Sequence, residues 1–395
     1  MAVIGTMGAA GTRRYTHTAF FYEGVDELIP ALARFVRDGV AADEHVLVVV
    51  DRVKGEMLVG HLGGAEGFDL ADSADVYISP TRTLANYIDT VRDSTSDGRA
   101  MRVAGEPIWA GLDSVHVAEW TCVESACNLA FADSALTMLC PYDISILDPA
   151  IVVAARQTHP EFRFGDVALA SEDFTDPHQF HSVIRHSVLP RPHGPFVECS
   201  VDSMADLAHV GWLIATFPEV HAVPAARISD LVSSVDYVIR TALKHDARAL
   251  TVGLWLDGSH IVCDVIGPWK TTTPFAGFFA HPSERAGSPG LWCAGQRCDL
   301  IAIREQDGVT TVRLQISTVP ESVNPTCAEF AEFAGVYALG ACEPDEVVMI
   351  EAHLAECPTC RDENEKLAAV VAELNAERGA TRPSSPEPDG RPPYT

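Results

Sequence analysis

Short β-branched runs alternate with helical periodicity through the first 165 residues, and this alternation constrains the fold more than any other feature. VDELIPALARFVRDGV (25–40) repeats apolar residues at helical spacing, and HVLVVVD (45–51) is a compact buried-strand pattern. DVYISP (75–80) and RAMRVAGEP (99–107) repeat the strand signal, SVHVAEWTCVESACNLAFAD (114–133) reads as a helix, and ALTMLCPYD (135–143) as a further strand. Strands separated by helices cannot form hairpins, so a mainly parallel sheet covered on both faces is expected.

The pattern then changes. PRPHGP (190–195) reads as a linker. The strand FVECSVD and two helices, about 203–215 and 224–245, precede LTVGLWLDG, SHIVCDVIGP, CDLIAIREQDG and TTVRLQIS. Asp-Gly at 257–258 and 307–308 supplies hairpin turns, so residues 196–318 are expected to form a two-layer α/β sandwich. From about 325 three helical segments follow, CAEFAEFAGVYALGA, PDEVVMIEAHLAEC and CRDENEKLAAVVAELNAERG. The Gly- and Ala-rich residues 1–14 are expected to be mobile, and the Pro- and Ser-rich tail 380–395 disordered.

Composition sets the compartment and the partners. A formal net charge of −27 argues against nucleic acid and anionic lipid and favours a basic protein partner. Eleven cysteines, an odd number scattered through apolar stretches, indicate reduced thiols. No apolar run reaches the roughly 18 residues that span a bilayer, and no signal peptide is evident. The cytoplasm is the expected location.

The densest chemistry is HLAECPTC (353–360). His353, Cys357 and Cys360 can converge on one borderline-soft ion, for which Zn²⁺ is the expected choice. Cys327, at the start of the preceding helix, is the natural fourth ligand, with Cys342 second. Such a Cys₃His set is closed and structural, although zinc thiolates can also act as redox switches. Across 327–378 twelve Asp/Glu face three Lys/Arg. This segment, with Tyr337–Gly340 reading YALG, resembles the zinc-finger domain of bacterial anti-sigma factors. The resemblance implies a three-helix zinc module over 325–378 that clamps a sigma factor of the extracytoplasmic-function type.

Residues 196–318, and SPGLWCAGQRCDLIAIREQDGVTTVRLQIS (288–317) above all, resemble the histidine-kinase-type ATPase domain of anti-sigma regulatory kinases. The family's catalytic positions are not kept. Tyr237 stands where the resemblance implies a Glu and Thr241 where it implies a Mg²⁺-binding Asn. Gly267 and Trp269 stand where an Asp and a Gly are implied, and Gly287 and Gly290 are a remnant of the glycine-rich lid. A phenol with a pKa near 10 is a poor base at neutral pH, so neither Mg-ATP nor phosphotransfer is expected and the domain is read as degenerate. Asp236 and Asp264, nearby, read as a helix-surface and a strand-end acid.

Segments 17–50 and 105–143 resemble the MEDS sensory domain, which implies a RecA-like α/β core over 15–165. GHLGGAEG lacks the lysine of a phosphate loop. For a small-molecule effector, ligands are expected near the strand C-termini, with His17, Tyr22, Glu106, Trp109, Glu119, Glu124 and Tyr142 as candidates. Glu119 and Glu124, five apart, need not share a helix face. The expected whole is a cytoplasmic anti-sigma factor with a sensor, a non-catalytic middle domain and a zinc effector end. Two alternatives stay open from the residues: an ATP-binding serine or sensor kinase of a partner-switching pathway, and a small-molecule or redox sensor with a non-sigma partner.

Overall fold

The computed structural model describes residues 15–217, 223–318 and, in part, 327–371. The N-terminal 14 residues, the tail 380–395 and most of the third C-terminal helix expected from the sequence lie outside the described residues. The chain divides into two compact units, Met1–Thr318 and Val319–Thr395. The architecture is mixed α/β and multidomain, as the alternation predicts.

The first unit holds two sheets. The first comprises β1 (Thr16–Tyr22), β2 (His45–Val50), β3 (Asp69–Asp72), β4 (Met101–Gly105), β5 (Leu136–Asp143), β6 (Glu161–Phe164) and β7 (Val167–Ala170) in the order β3-β2-β4-β5-β1-β6-β7. Every pairing is parallel except β6–β7. Because successive side chains point to opposite faces, β1 serves two cores. Phe20 and Tyr22 pack with Leu28, Leu32 and Val48, whereas Ala19 and Phe21 pack with Trp120, Met138 and Cys140. Asp148-Pro149 and Asp176-Pro177 start helices in the same way: the Asp carboxylate accepts from the first-turn N–H groups and the Pro needs none.

One strand expectation fails. In DVYISP, Asp75 and Val76 belong to a helical turn, Ser73–Val76, that the Asp72 carboxylate caps by accepting from Ala74 N. Pro80 opens the helix Pro80–Ser94. Only three residues remain between the two helices, too few for a paired strand, and the neighbouring strand is β3 just upstream. The β6–β7 hairpin was not read from the sequence; it is short, and Val167 and Leu169 are exposed.

The second sheet is antiparallel throughout: β8 (Phe196–Val201), β9 (Leu250–Asp257), β10 (His260–Gly267), β11 (Leu300–Gln306) and β12 (Val309–Ser317), in the order β11-β12-β10-β9-β8. Asp307 and Gly308, both at positive φ (52° and 80°), form the two-residue turn between β11 and β12. The helices Leu207–Thr216 and Ala225–Lys244 cover one face through Val210, Leu231, Val235 and Val238. The other face buries charged residues beside apolar ones. Asp264 is not at a strand end: it sits mid-strand in β10 and receives two hydrogen bonds from Arg313 of β12, at 2.8 and 2.7 Å.

That second face carries the joint to the first sheet. Helix Ser114–Ala130 is buried continuously from Glu119 to Cys127, so its carboxylates need partners. Arg304 of β11 donates to Glu119 at 2.7 Å, and the side chains are 5% and 3% exposed. Around the pair, Val115 packs on Leu300 and Ala302, and Thr81 donates to the Gly295 carbonyl at 2.9 Å. His181 lies beside it, its Nε2 donating to the Cys122 carbonyl at 3.0 Å, between Phe275 and Phe278.

The second unit contains helices Cys327–Ala338 and Pro344–Glu356. Phe330, Ala334, Ile350 and Cys360 form its small core.

Two outcomes follow for the joint. Glu119→Ala leaves a buried guanidinium unpaired and should destabilise the first unit by about 3–5 kcal/mol; Glu119→Leu with Arg304→Met should restore much of that loss in urea unfolding. Burial holds the His181 imidazole down to about 3, with the Arg185 and His178 charges acting in the same direction and the Cys122 carbonyl against them. Between about pH 6.5 and 3 the unfolded chain therefore binds a proton that the folded chain refuses. Stability should be complete above that window and fall as pH drops through it, by up to about 1.4 kcal/mol per pH unit from this group. His181→Gln should flatten the slope of urea midpoints measured from pH 7 to 5.

Candidate metal centre

In the second unit the helix Pro344–Glu356 carries His353 on its last turn. The Cys357 N–H donates to the His353 carbonyl at 2.8 Å, and the Arg361 N–H to Cys357 at 3.0 Å, so the chain turns tightly between the ligands. His353, Cys357 and Cys360 each bring one ligand atom within 4.8 Å of the others. The His353 ring stacks on Phe330 at 5.5 Å, and His353 and Cys360 are buried. Two sulfurs and one imidazole nitrogen, shielded and convergent, fit the zinc expected there. The side chain of Cys327 lies outside the described residues. Cys342 packs half-buried against the same core.

The sensory candidates do not form one site. Tyr22 donates to Glu106, and Lys54 Nζ approaches the same carboxylate at 2.7 Å. This triad lies at the C-terminal ends of β1 and β4, as expected of Tyr22 and Glu106. Lys54 was missed because it lies on a helix with no motif around it. Burial pushes the Tyr22 phenol up and Glu106 adds to the effect; Lys54 is held charged because Glu106 and Asp51 outweigh its burial. On the opposite face of the sheet, Trp109 stacks on Tyr142 at 5.9 Å, while His17 meets Glu124, Cys140 and His159. Glu119 turns away from both groups toward Arg304.

The residues that the ATPase resemblance sets at nucleotide positions lie in or beside the second sheet and its helices. Tyr237 packs half-buried against the core, and the Thr241 hydroxyl donates back to the Tyr237 carbonyl at 2.8 Å. Asp236 pairs with Arg240 on the helix, as a surface acid would. A cleft of about 200 Å³ beside Asp236 and Tyr237 is lined otherwise by Leu207, Val210, Gly211, Val232 and Ser233. Gly267 lies in close approach to Leu250: a Cβ there would lie 2.3 Å from Leu250 Cδ2, and that buried side chain would have to shift. Trp269 is buried in the same core. Gly287, at φ 92°, has open space around it, and next to Gly290 the Glu284 carboxylate accepts from Trp292 N and Cys293 N. The N–H groups that could meet a phosphate there already hold an anion.

Residues 16–160 match the MEDS family, described as the methanogen/methylotroph, DcmR sensory domain. Residues 327–361 match the family described as "Putative zinc-finger". No curated protein matches the chain. Among solved structures, the RsbU and RsbW domains of a Mycobacterium tuberculosis protein align at 17% identity and a TM-score of 0.24, over 31% of this chain and 32% of that one. The chain therefore spans about a third of that structure. Among the described residues no helix is long and apolar enough to cross a membrane. The chain carries a MEDS sensory domain near its N-terminus and a zinc-finger domain of the anti-sigma type near its C-terminus.

Proposed function

We propose that this chain is a cytoplasmic anti-sigma factor whose zinc module binds a sigma factor, of the extracytoplasmic-function type, and sequesters it from polymerase. The observation that carries the reading is the convergence of His353, Cys357 and Cys360 in the unit that matches the zinc-finger family. Zinc there holds two short helices whose own core is too small to be stable alone. The acidic surface suits a basic partner. The MEDS domain supplies the receiving end, and release requires a signal that binds one state better than the other.

The middle domain acts in this reading through contact and not through phosphotransfer. Packed Tyr237 and Trp269, and a helix N-terminus closed by Glu284, support that assignment. Calorimetric titration of the full chain with Mg-ATP should give no saturable heat; micromolar binding would restore the kinase reading.

Co-expression with each sigma factor of the host should yield one stable complex, and transcription from that sigma factor's promoter should fall when the protein is added. Cys357→Ser with Cys360→Ser should weaken the complex at least about 10-fold, because the module loses its metal and its fold. Failure of every host sigma factor to bind would sink the proposal.

A further inference from the structure

Four side chains from separate parts of the first sheet meet in its interior. His17 comes from β1, Cys140 from β5, Glu124 from the helix Ser114–Ala130, and His159 from the residue that follows the helix Pro149–Thr158. All four are buried, His159 completely. Each offers one ligand atom, and the four atoms lie within 4.8 Å of one another.

Four of the six edges of this cluster are close to those of a coordination tetrahedron, and the other two are within 4.8 Å. Glu124 Oε2 is 3.3 Å from His17 Nε2 and 3.5 Å from His159 Nε2. Cys140 Sγ is 3.4 Å from His17 Nε2 and 3.5 Å from Glu124 Oε2. Zinc–ligand bonds of about 2.0–2.3 Å in tetrahedral array place ligand atoms roughly 3.3–3.8 Å apart.

The tautomers agree with this geometry. Asn128 Nδ2 donates to the Thr158 carbonyl at 2.7 Å, which turns its Oδ1 toward His17 Nδ1 at 3.2 Å. His159 Nδ1 lies 2.8 Å from the Ala155 carbonyl. Both rings therefore carry their proton on Nδ1 and aim an Nε2 lone pair into the cluster, the outer-sphere arrangement that orients metal-bound imidazoles. His159 Nε2 is buried and makes no well-formed hydrogen bond. Two lone pairs and a carboxylate facing one another in a dry interior need a cation between them.

We propose that His17 Nε2, His159 Nε2, Glu124 Oε2 and Cys140 Sγ form a closed site for a divalent metal, Zn²⁺ by donor type, separate from the cysteine-rich site of the second unit. A carboxylate and a thiolate balance the dication, so the inner sphere is neutral and suited to full burial. On binding, Cys140 gives up its thiol proton to solvent as the Zn–S bond forms. The mixed nitrogen, oxygen and sulfur set disfavours Mg²⁺ and Ca²⁺, which take oxygen ligands.

Metal analysis of the full chain tests the site. The wild type should carry about two zinc ions per chain, and the Cys357→Ser, Cys360→Ser variant about one. Cobalt loaded into that variant should show a single-thiolate charge-transfer band in the near ultraviolet. Adding Cys140→Ala should abolish the band, and adding His17→Gln instead, a milder change for folding, should lower the bound metal below one equivalent. A folded Cys357→Ser, Cys360→Ser protein that takes up neither zinc nor cobalt at micromolar concentration would overturn the proposal. So would a cobalt spectrum unchanged by both Cys140→Ala and His17→Gln.

Discussion

The structure of the first unit depends on burying the helix Ser114–Ala130 on nearly all sides. A helix in that position loses water from its polar residues as well as its apolar ones. Its two interior carboxylates therefore dictate what must surround it. Glu119 requires a cation from the second sheet and finds Arg304, which also donates to Ser187 of the connecting segment at 3.1 Å. Glu124 faces the other way, into the first sheet, and collects His17, Cys140 and His159. Burial of such pairs adds little net stability but makes any other arrangement expensive, so the pair fixes how the two sheets dock.

The MEDS domain and the antiparallel sheet share a close-packed seam: the space between Glu119, Cys122, His181, Arg185 and Arg304 is about 10 Å³, room for roughly one water. The helix that lines the candidate sensory region on one face thus forms the joint on the other. A change on the Glu124 side is separated from Arg304 by only five residues of rigid helix. In the second sheet, Trp269 is buried in the core and Tyr237 packs half-buried against it.

The two candidate metal clusters differ in how the chain assembles them. His353, Cys357 and Cys360 lie within eight residues, so local chain geometry nearly suffices to bring them together. The four groups of the Glu124 cluster are spread over more than 140 residues, and only the finished sheet assembles them.

That contrast marks what the sequence determined by itself. The helix and strand periods, the Asp-Pro helix starts, the Asp-Gly hairpins and the His-x-x-x-Cys-x-x-Cys spacing are written over a few residues each, and local geometry suffices to express them. DVYISP misled because a cap at Asp72 and a Pro at 80 outcompeted a strand-like pattern. Tertiary structure decided which face each acid serves, as Glu119 and Glu124 illustrate from one helix. It also placed Lys54 on Glu106, Arg313 on Asp264 and His159 beside His17. Those pairings join residues distant in the chain, and the force that creates them, the cost of leaving a buried charge or lone pair without a partner, acts only once the sheet has closed around them.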